Sequence, residues 1–422
     1  MEHGFSFDDF AVELEEFEVR KKRKFDRMWK IGEGGSVVNS PLAHEKTIYF
    51  GAADGYVYAI DLETRKEKWR FRTSEKIYFS SPVIYENVIY IGSYDYNLYA
   101  ISLEGKEIWR FRTGGEVFST PFVYEGKIYF GSRDGYVYSI DAKTGKEVWK
   151  FRTGGEIASS SVVKDGKVFA GSFDNNIYCL DAKSGKELWR FRTGEEIICC
   201  SHFFVHGNIL YFGSMDNYLY AVDISSGKEI WRFRTGKYGN SSVPAIYKNT
   251  LFHGCRDGIF YALDARTGKE MWRKTLEGGS TGSNPVVVNG IVYFSEESGN
   301  IYALRSDGKE VWKIRISEGN WGTPAVHGNQ IFFGSLDCHL YAFDIKTGKE
   351  LWRFATSNLM KCYVPPPHEV FEATIKKPFS EEEAGKGEKY DFASARTDIK
   401  SEYSIKSEYV FKSEYRQKSE YK

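Results

Sequence analysis

The run Ser119–Gly155, STPFVYEGKIYFGSRDGYVYSIDAKTGKEVWKFRTGG, holds four short strands and the three turns between them. TPFVY, KIYFGS, YVYSID and EVWKFRT are rich in β-branched and aromatic residues, the types that suit a pleated surface. Glu125-Gly126, Arg133-Asp134-Gly135 and Lys143-Thr144-Gly145-Lys146 supply the turns, because glycine reaches positive φ at no steric cost and aspartate bonds the backbone that follows it. The unit is a four-stranded meander. Tyr129, Val137, Tyr138, Ile140 and Trp149 put apolar side chains on more than one face, so each sheet has to be packed between two neighbours.

The neighbours are in the sequence. Trp29, Trp69, Trp109, Trp149, Trp189, Trp231, Trp272, Trp312 and Trp352 recur every 40 to 42 residues, and only a structural repeat keeps such a period. The third-strand tyrosines Tyr58, Tyr99, Tyr138, Tyr178, Tyr220, Tyr261, Tyr302 and Tyr341 mark eight copies. Meanders packed face to face close radially, so the expected fold is all-β: an eight-bladed β-propeller of four-stranded antiparallel blades over residues 28–356. Nine tryptophan strands serve eight blades, and Met28–Ile31 competes with Leu351–Phe354 for one outer position. The N-terminal strand is expected to join the last blade, because joining the chain ends removes two exposed sheet edges.

Composition narrows the classes. Of 422 residues, 41% are hydrophobic and 17% aromatic, and 58 Lys plus Arg balance 58 Asp plus Glu. A net charge of zero gives no global field toward nucleic acid or an anionic membrane, so neither is an expected partner. The charged start MEHGFSFDDFAVELEEFEVRKKRKFDR has no apolar export core, which points to the cytoplasm. Six cysteines without a C-x-x-C pair do not form a disulfide framework.

The recurring G-S-x-D-G-x-[VL]-Y-A-[IL]-D-A-x-T-G-K-E-x-W resembles the repeat of the pyrroloquinoline quinone (PQQ) type propellers. That family includes periplasmic PQQ dehydrogenases, a lipoprotein subunit of outer-membrane protein assembly, kinase-linked sensor domains and propellers without a known ligand, and the fold alone does not choose among them. The resemblance implies that the segment matching Asp141, Thr144 and Gly145 docks a neighbouring indole, as Trp149 would be docked. Departures at Arg65, Ser102 and Arg305 imply looser joints there. It also raises a vicinal Cys199-Cys200 disulfide against a quinone, as in certain PQQ dehydrogenases. The chain offers no residue-by-residue match to a calcium-binding set or a catalytic aspartate. The expectation is therefore no enzyme and no cofactor, with PQQ plus a divalent ion only under the alternative of a quinoprotein dehydrogenase, and a ligand-sensing propeller as a further alternative.

Repeated residues read as scaffold. Asp134 and its counterparts recur in seven turns, and seven copies of one acid are not seven active sites. The arginines of WRFRTG alternate with glutamates, which favours rim ion pairs over phosphate binding. Cys199 and Cys200 stand where sister blades carry serine, and Cys179, Cys255 and Cys338 also replace small residues, so cysteine reads as a small packed thiol. A zinc site from Cys200, His202 and His206 would need three ligands along one extended strand to converge, which its geometry opposes. Phosphate, dinucleotide and nucleophile-elbow motifs are absent.

Residues that vary between blades are the candidates for function. One position per inner strand gives Val38, Phe79, Phe118, Ala158, Ile198, Ser241, Gly282 and Trp321. Val38, Phe79, Phe118, Ile198 and Trp321 would form an apolar ring at a channel mouth, either exposed for a peptide or flat ligand or packed inside. Glu296 and Glu297 could add a preference for a basic group, the alternative being that the two lie on a different face. The expected activity is non-catalytic binding of a protein partner.

Two appendages flank the ring. Residues 1–27 carry Phe10, Leu14 and Phe17 at helical spacing, which predicts a short helix. Residues 357–399 read as linker, and 400–422 repeat KSEY every six residues. Its Tyr403, Tyr409, Tyr415 and Tyr421 share one side of an extended chain, consistent with either a disordered low-complexity tail or a recruitment strand.

Overall fold

The computed structural model describes residues 34–198, 203–281 and 283–356. They form eight four-stranded antiparallel sheets, each from consecutive strands, and contain no helix. Blade three shows the pattern: strands Phe122–Tyr124, Lys127–Gly131, Tyr136–Asp141 and Glu147–Arg152 run in that order from the channel to the rim. The second and third strands are the most buried because both faces meet neighbouring blades. Ile128, Phe130 and Ile140 pack toward blade two with Tyr90 and Leu98, while Tyr129 and Val137 pack toward blade four with Val168 and Tyr178.

The outer edge is blunted. In every blade the pairing of third and fourth strands shifts by one residue; in blade three Ser139 faces Trp149 and Ile140 faces Glu147, leaving Val148 in a bulge. Bulges and charged side chains discourage edge-to-edge pairing. Rim ion pairs stand three residues apart, such as Arg110 Nε to Glu107 Oε1 at 2.7 Å and Arg190 Nη2 to Glu187 Oε2 at 2.7 Å. The first basic residue of each WRFRTG therefore has an acidic partner on its own strand, whereas the second lies over an aromatic ring in three blades, as Arg72 over Tyr56, Arg112 over Tyr96 and Arg152 over Tyr136.

Indole docking explains the spacing of the tryptophans. Trp149 Nε1 donates to Ala182 O at 3.0 Å, and its ring lies against Gly185 of the next blade. Gly185 has φ +70°, and a Cβ there would stand 2.6 Å from Trp149 Cδ2, so the position needs glycine. The expected loose joints are mostly not loose. Trp69 still donates to Leu103 O at 2.7 Å across the shortened loop after Ser102, and Trp272 to Ser306 O at 3.1 Å beside Arg305. Only the indole facing Arg65 departs: Trp352 donates to Gln330 Oε1 of its own blade at 3.1 Å.

In blade eight Glu350–Ala355, carrying Trp352, pairs with the third strand, and Met28–Ile31, expected to join the same blade, lies outside the described residues. Blades eight and one are joined on the inside, where Val37 N donates to Ser335 O (2.9 Å), Ser36 Oγ to Leu336 O (2.7 Å) and Thr356 Oγ1 to Gly35 O (2.9 Å). Hydroxyls also link blades around the channel. Thr323 N donates to Ser40 Oγ, Ser40 N to Ser81 Oγ, Ser81 N to Thr120 Oγ1 and Thr120 N to Ser160 Oγ, all within 3.0 Å. The predicted N-terminal helix and the KSEY tail, with Tyr403, Tyr409, Tyr415 and Tyr421, also lie outside the described residues.

Candidate site at the channel mouth

An antiparallel meander sends its turns alternately to two faces. Turns between first and second strands, and between third and fourth, lie on one face; turns between second and third strands share the other with the blade-to-blade loops. Each loop passes the channel just before its inner strand, so the variable inner-strand position and the variable residue of G-S-x-D meet there.

The candidate residues come together, but not as an open ring. Val38, Phe79, Phe118, Ile198 and Trp321 join one cluster with Ala53, Tyr78, Ala158, Met215 and Leu336, flanked by Tyr94 and Phe173. The five are 1–7% exposed. Phe79 stacks on Phe118 at 4.6 Å between centroids and meets Trp321 at 6.0 Å. Rings from blades two, three and eight that meet in this way share part of the apolar surface they remove from water. Ala158 is buried with them and Ser241 is 7% exposed, while Gly282 is outside the described residues.

Half the cluster was missed from sequence. Tyr94, Phe173, Met215 and Leu336 are the x of the G-S-x-D turns of blades two, four, five and eight, and Ala53 holds the same place in blade one. That position varies inside an otherwise repeated motif, which was the available signal. Tyr78 is an extra residue in the loop entering blade two, packed edge-on to Tyr94 at 5.0 Å. The same turn position supplies a polar rim: Arg133, whose Nε lies 2.7 Å from Glu156, then Arg256 and Glu297, all partly buried.

Glu296 is not a mouth acid, which corrects the expectation of a basic-group preference at that residue. It is fully buried. Elsewhere the turn aspartate anchors the joint: Asp134 accepts from Tyr136 N (3.0 Å), Tyr138 Oη (2.7 Å) and Gly114 N of the incoming loop (2.8 Å). Blade seven has Ser298 in that place, and Glu296 reaches in to accept from Gly278 N (3.0 Å), Tyr302 Oη (3.2 Å), Ser298 Oγ (3.2 Å) and Asn300 Nδ2. Glu297 accepts from Ser280 Oγ at 3.1 Å.

Blade six carries a buried polar group of its own. His253 Nε2 lies 3.0 Å from Asn240 Oδ1 and its Nδ1 3.3 Å from Ser242 Oγ, while Ser242 also donates to Gly254 O. Burial drives the imidazole down to about 3, so it is neutral at neutral pH. With no exposed face, the trio packs rather than reacts.

Cys179 and Cys255 are free and buried, and burial pushes both thiols up to about 12. Such thiols are unreactive. Cys338 departs from the small-thiol reading, being disulfide-bonded to a partner outside the described residues. Cys199, Cys200 and His202 are outside them too, and among the described residues no group of three His, Cys, Asp or Glu side chains could hold a metal ion. The opposite end of the channel opens as a cavity of about 280 Å³ between Pro41, Pro82 and Pro324, with the Ser40, Ser81 and Thr323 hydroxyls.

Comparison with known proteins agrees with this geometry. Residues 126–366 match the β-propeller family of the beta-alanine-activating enzyme, and residues 26–104 and 78–162 match that of the outer membrane protein assembly factor BamB. No curated protein matches. The computationally designed Ika8 protein superposes with a TM-score of 0.65 at 17% identity, covering 76% of this chain and 98% of its own. BamB from Moraxella catarrhalis gives 0.59 at 18%, covering 75% and 96%, and the quinohemoprotein alcohol dehydrogenase ADHIIG from Pseudomonas putida HK5 gives 0.56 at 17%, covering 66% of each chain. At such identities the superpositions speak for the fold. With its repeat, its eight docked blades and a family match over 126–366, the chain belongs to the PQQ-type β-propellers, in the family of the beta-alanine-activating enzyme propeller.

Proposed function

We propose that the protein is a non-catalytic, cofactor-free binding scaffold that engages a protein or peptide at the loop-side mouth. One observation carries this reading. Against a frame whose acids, tyrosines and indoles repeat blade after blade, large apolar side chains gather where the repeat is free to vary. Titratable groups that a catalyst would use are committed to the frame: Asp134 and Glu296 brace joints, and His253 is sealed and neutral. Similarity to an assembly factor supports the scaffold reading, whereas similarity to an alcohol dehydrogenase supports the quinoprotein alternative.

Full-length protein with Phe118→Ala and Trp321→Ala should lose partner capture by about 2 kcal/mol or more if these rings are hot spots. Pull-down from native extract followed by titration of the recovered partner measures it. Undiminished affinity in a folded double variant sinks the proposal. Addition of PQQ and calcium tests the alternative, which predicts a new absorbance band and dye reduction with an alcohol.

A further inference from the structure

The fourth strands end on the loop side with an arginine that the frame does not use. Arg72, Arg112, Arg152, Arg192 and Arg234 close that strand in five consecutive blades, one to five, and Arg315 in blade seven. All six are exposed, and among the described residues none of their side chains makes an ion pair or a hydrogen bond. Their cross-strand neighbours in blades one to five are uncharged: Tyr56, Asn97, Tyr136, Asn176 and Tyr218. In blades six and eight the place is taken by Thr275 and Ala355, and third and fourth strands pair there in the same way. Folding therefore does not require the charge.

We infer that the arginines of blades one to five form a docking arc for an acidic peptide segment of a protein partner, on the outer wall beside the loop-side face and separate from the apolar cluster. Each outer strand there carries one glutamate against two or three basic side chains, as Glu107 against Arg110 and Arg112. Glu107 is taken by Arg110 through two bonds of 2.7 and 2.8 Å, which leaves the Arg112 guanidinium for a partner. Arg72, Arg112 and Arg152 are also held in place, 5.8, 5.7 and 5.8 Å over the rings of Tyr56, Tyr96 and Tyr136. A planar fork stacked in that way keeps its N–H groups for a carboxylate, which it binds through two parallel bonds, and it has less side-chain freedom to lose on binding.

The acids around the arc decide the kind of partner. Glu116 and Glu156, in the loops that follow Arg112 and Arg152, are turned to Arg133, whose Nη1 lies 4.0 Å from the one and whose Nε lies 2.7 Å from the other. Glu75 and Glu195 follow Arg72 and Arg192 and are exposed. Joint aspartates such as Asp134 accept from N–H and O–H donors of the frame. Positive forks thus alternate with carboxylates, one fork to a blade. A continuous polyanion such as nucleic acid would set its phosphates against those acids, whereas a peptide can space its carboxylates to meet the forks alone. The arc stops at blade six, where Thr275 replaces the arginine and Lys274 and Lys313 are paired across the joint with Glu310 and Glu277.

The test uses full-length protein in low-salt buffer with two probes read by fluorescence anisotropy, a fluorescein-labelled peptide of alternating Glu and Ser and a labelled oligothymidylate. The native protein should bind the peptide saturably and more tightly than the oligonucleotide. Arg112→Gln, Arg152→Gln and Arg192→Gln together should weaken that binding about tenfold or more, with a melting curve like that of the native protein, because blades six and eight pair without the arginine. Arg→Lys at the same three positions keeps the charge but loses the fork, and should weaken binding about threefold. Phe118→Ala with Trp321→Ala should leave the peptide bound as before, so the arc and the proposed function fail separately. Absence of saturable binding to the native protein, equal affinity in the glutamine variant, or tighter binding of the oligonucleotide would each overturn the arc. So would a peptide lost from the Phe118→Ala, Trp321→Ala protein but kept by the glutamine variant.

Discussion

Blade three and blade seven put a carboxylate at the same point by different routes. In one it is Asp134 in the turn; in the other the turn has Ser298, and Glu296, two residues earlier, reaches the same donors with its longer side chain. The joint requires an anionic acceptor between the third-strand tyrosine and the incoming loop, and the residue that supplies it is secondary. At the mouth the same two blades carry Arg133 and Glu297 at the variable position of that turn, with no shared requirement. Repetition marks what holds the ring, and variation marks what is left for binding.

The largest test of this contrast is Glu296→Ala. It leaves Gly278 N–H and Tyr302 O–H without the Glu296 acceptor and the Asn300 amide with only Ser298 Oγ, and unmet buried donors cost about 1–3 kcal/mol each, partly relieved by repacking. A loss of about 4 kcal/mol in denaturant stability is expected. Adding Ser298→Asp should restore most of it by returning blade seven to the common arrangement. Without that rescue, the equivalence of the two acids is wrong.

Blades five and six make a second pair. Phe212 stacks on Tyr220 at 5.3 Å, whereas His253 at the same register turns to Asn240 and Ser242. His253 titrates at about 3 when folded and near its ordinary 6.5 when unfolded, so the unfolded chain binds more protons between those values. Stability is full above pH 6.5 and falls as pH drops, by about 3 kcal/mol at pH 4. His253→Phe with Asn240→Ile rebuilds the apolar pair and should flatten that limb of the unfolding curve. An unaltered acid limb would put the sensitivity elsewhere.

Eight blades, their strands and their turn chemistry were legible because one text is written eight times, and Trp149 on Gly185 or Tyr138 on Asp134 can be inferred once and copied. Departures from the text were harder. Glu296 looked like a surplus acid because a substitution two residues away is invisible until side-chain reach is known. Phe79, Phe118 and Trp321 could be placed at one mouth, but whether they stand apart or touch depends on the bore, which no local pattern encodes. Tyr94, Phe173 and Met215 hid inside a motif read as uniform.

Blade one and blade four differ at the turn position that faces the neighbouring indole. Gly185 takes φ +70° freely, while Arg65 holds φ 61°, a conformation that costs a side-chain-bearing residue about 1–2 kcal/mol. Arg65→Gly should therefore stabilise the ring by about 1 kcal/mol or less after the added chain entropy of glycine, and it should free Trp352 from Gln330. A destabilised variant would mean that the arginine side chain holds the closure joint.

The smallest effect comes from His339 in blade eight, set against Asn176 in blade four. Asn176 Nδ2 donates to Asp174 O and Oδ1, both at 3.0 Å; His339 Nδ1 takes the same place, 2.9 Å from Asp337 O and 3.3 Å from its Oδ1. The hydrogen bond to Asp337 raises the imidazole above its ordinary value, against partial burial and the Arg353 charge. A raised folded value means that the contribution is fully present below pH 6.5 and is lost as pH climbs through the folded value. About half the group is screened by solvent, so the loss should stay under about 1 kcal/mol. Melting curves from pH 6 to 9 should show this shallow decline in the native protein and not in His339→Asn, which restores the blade-four arrangement. An identical slope in both proteins would place the titration in another group.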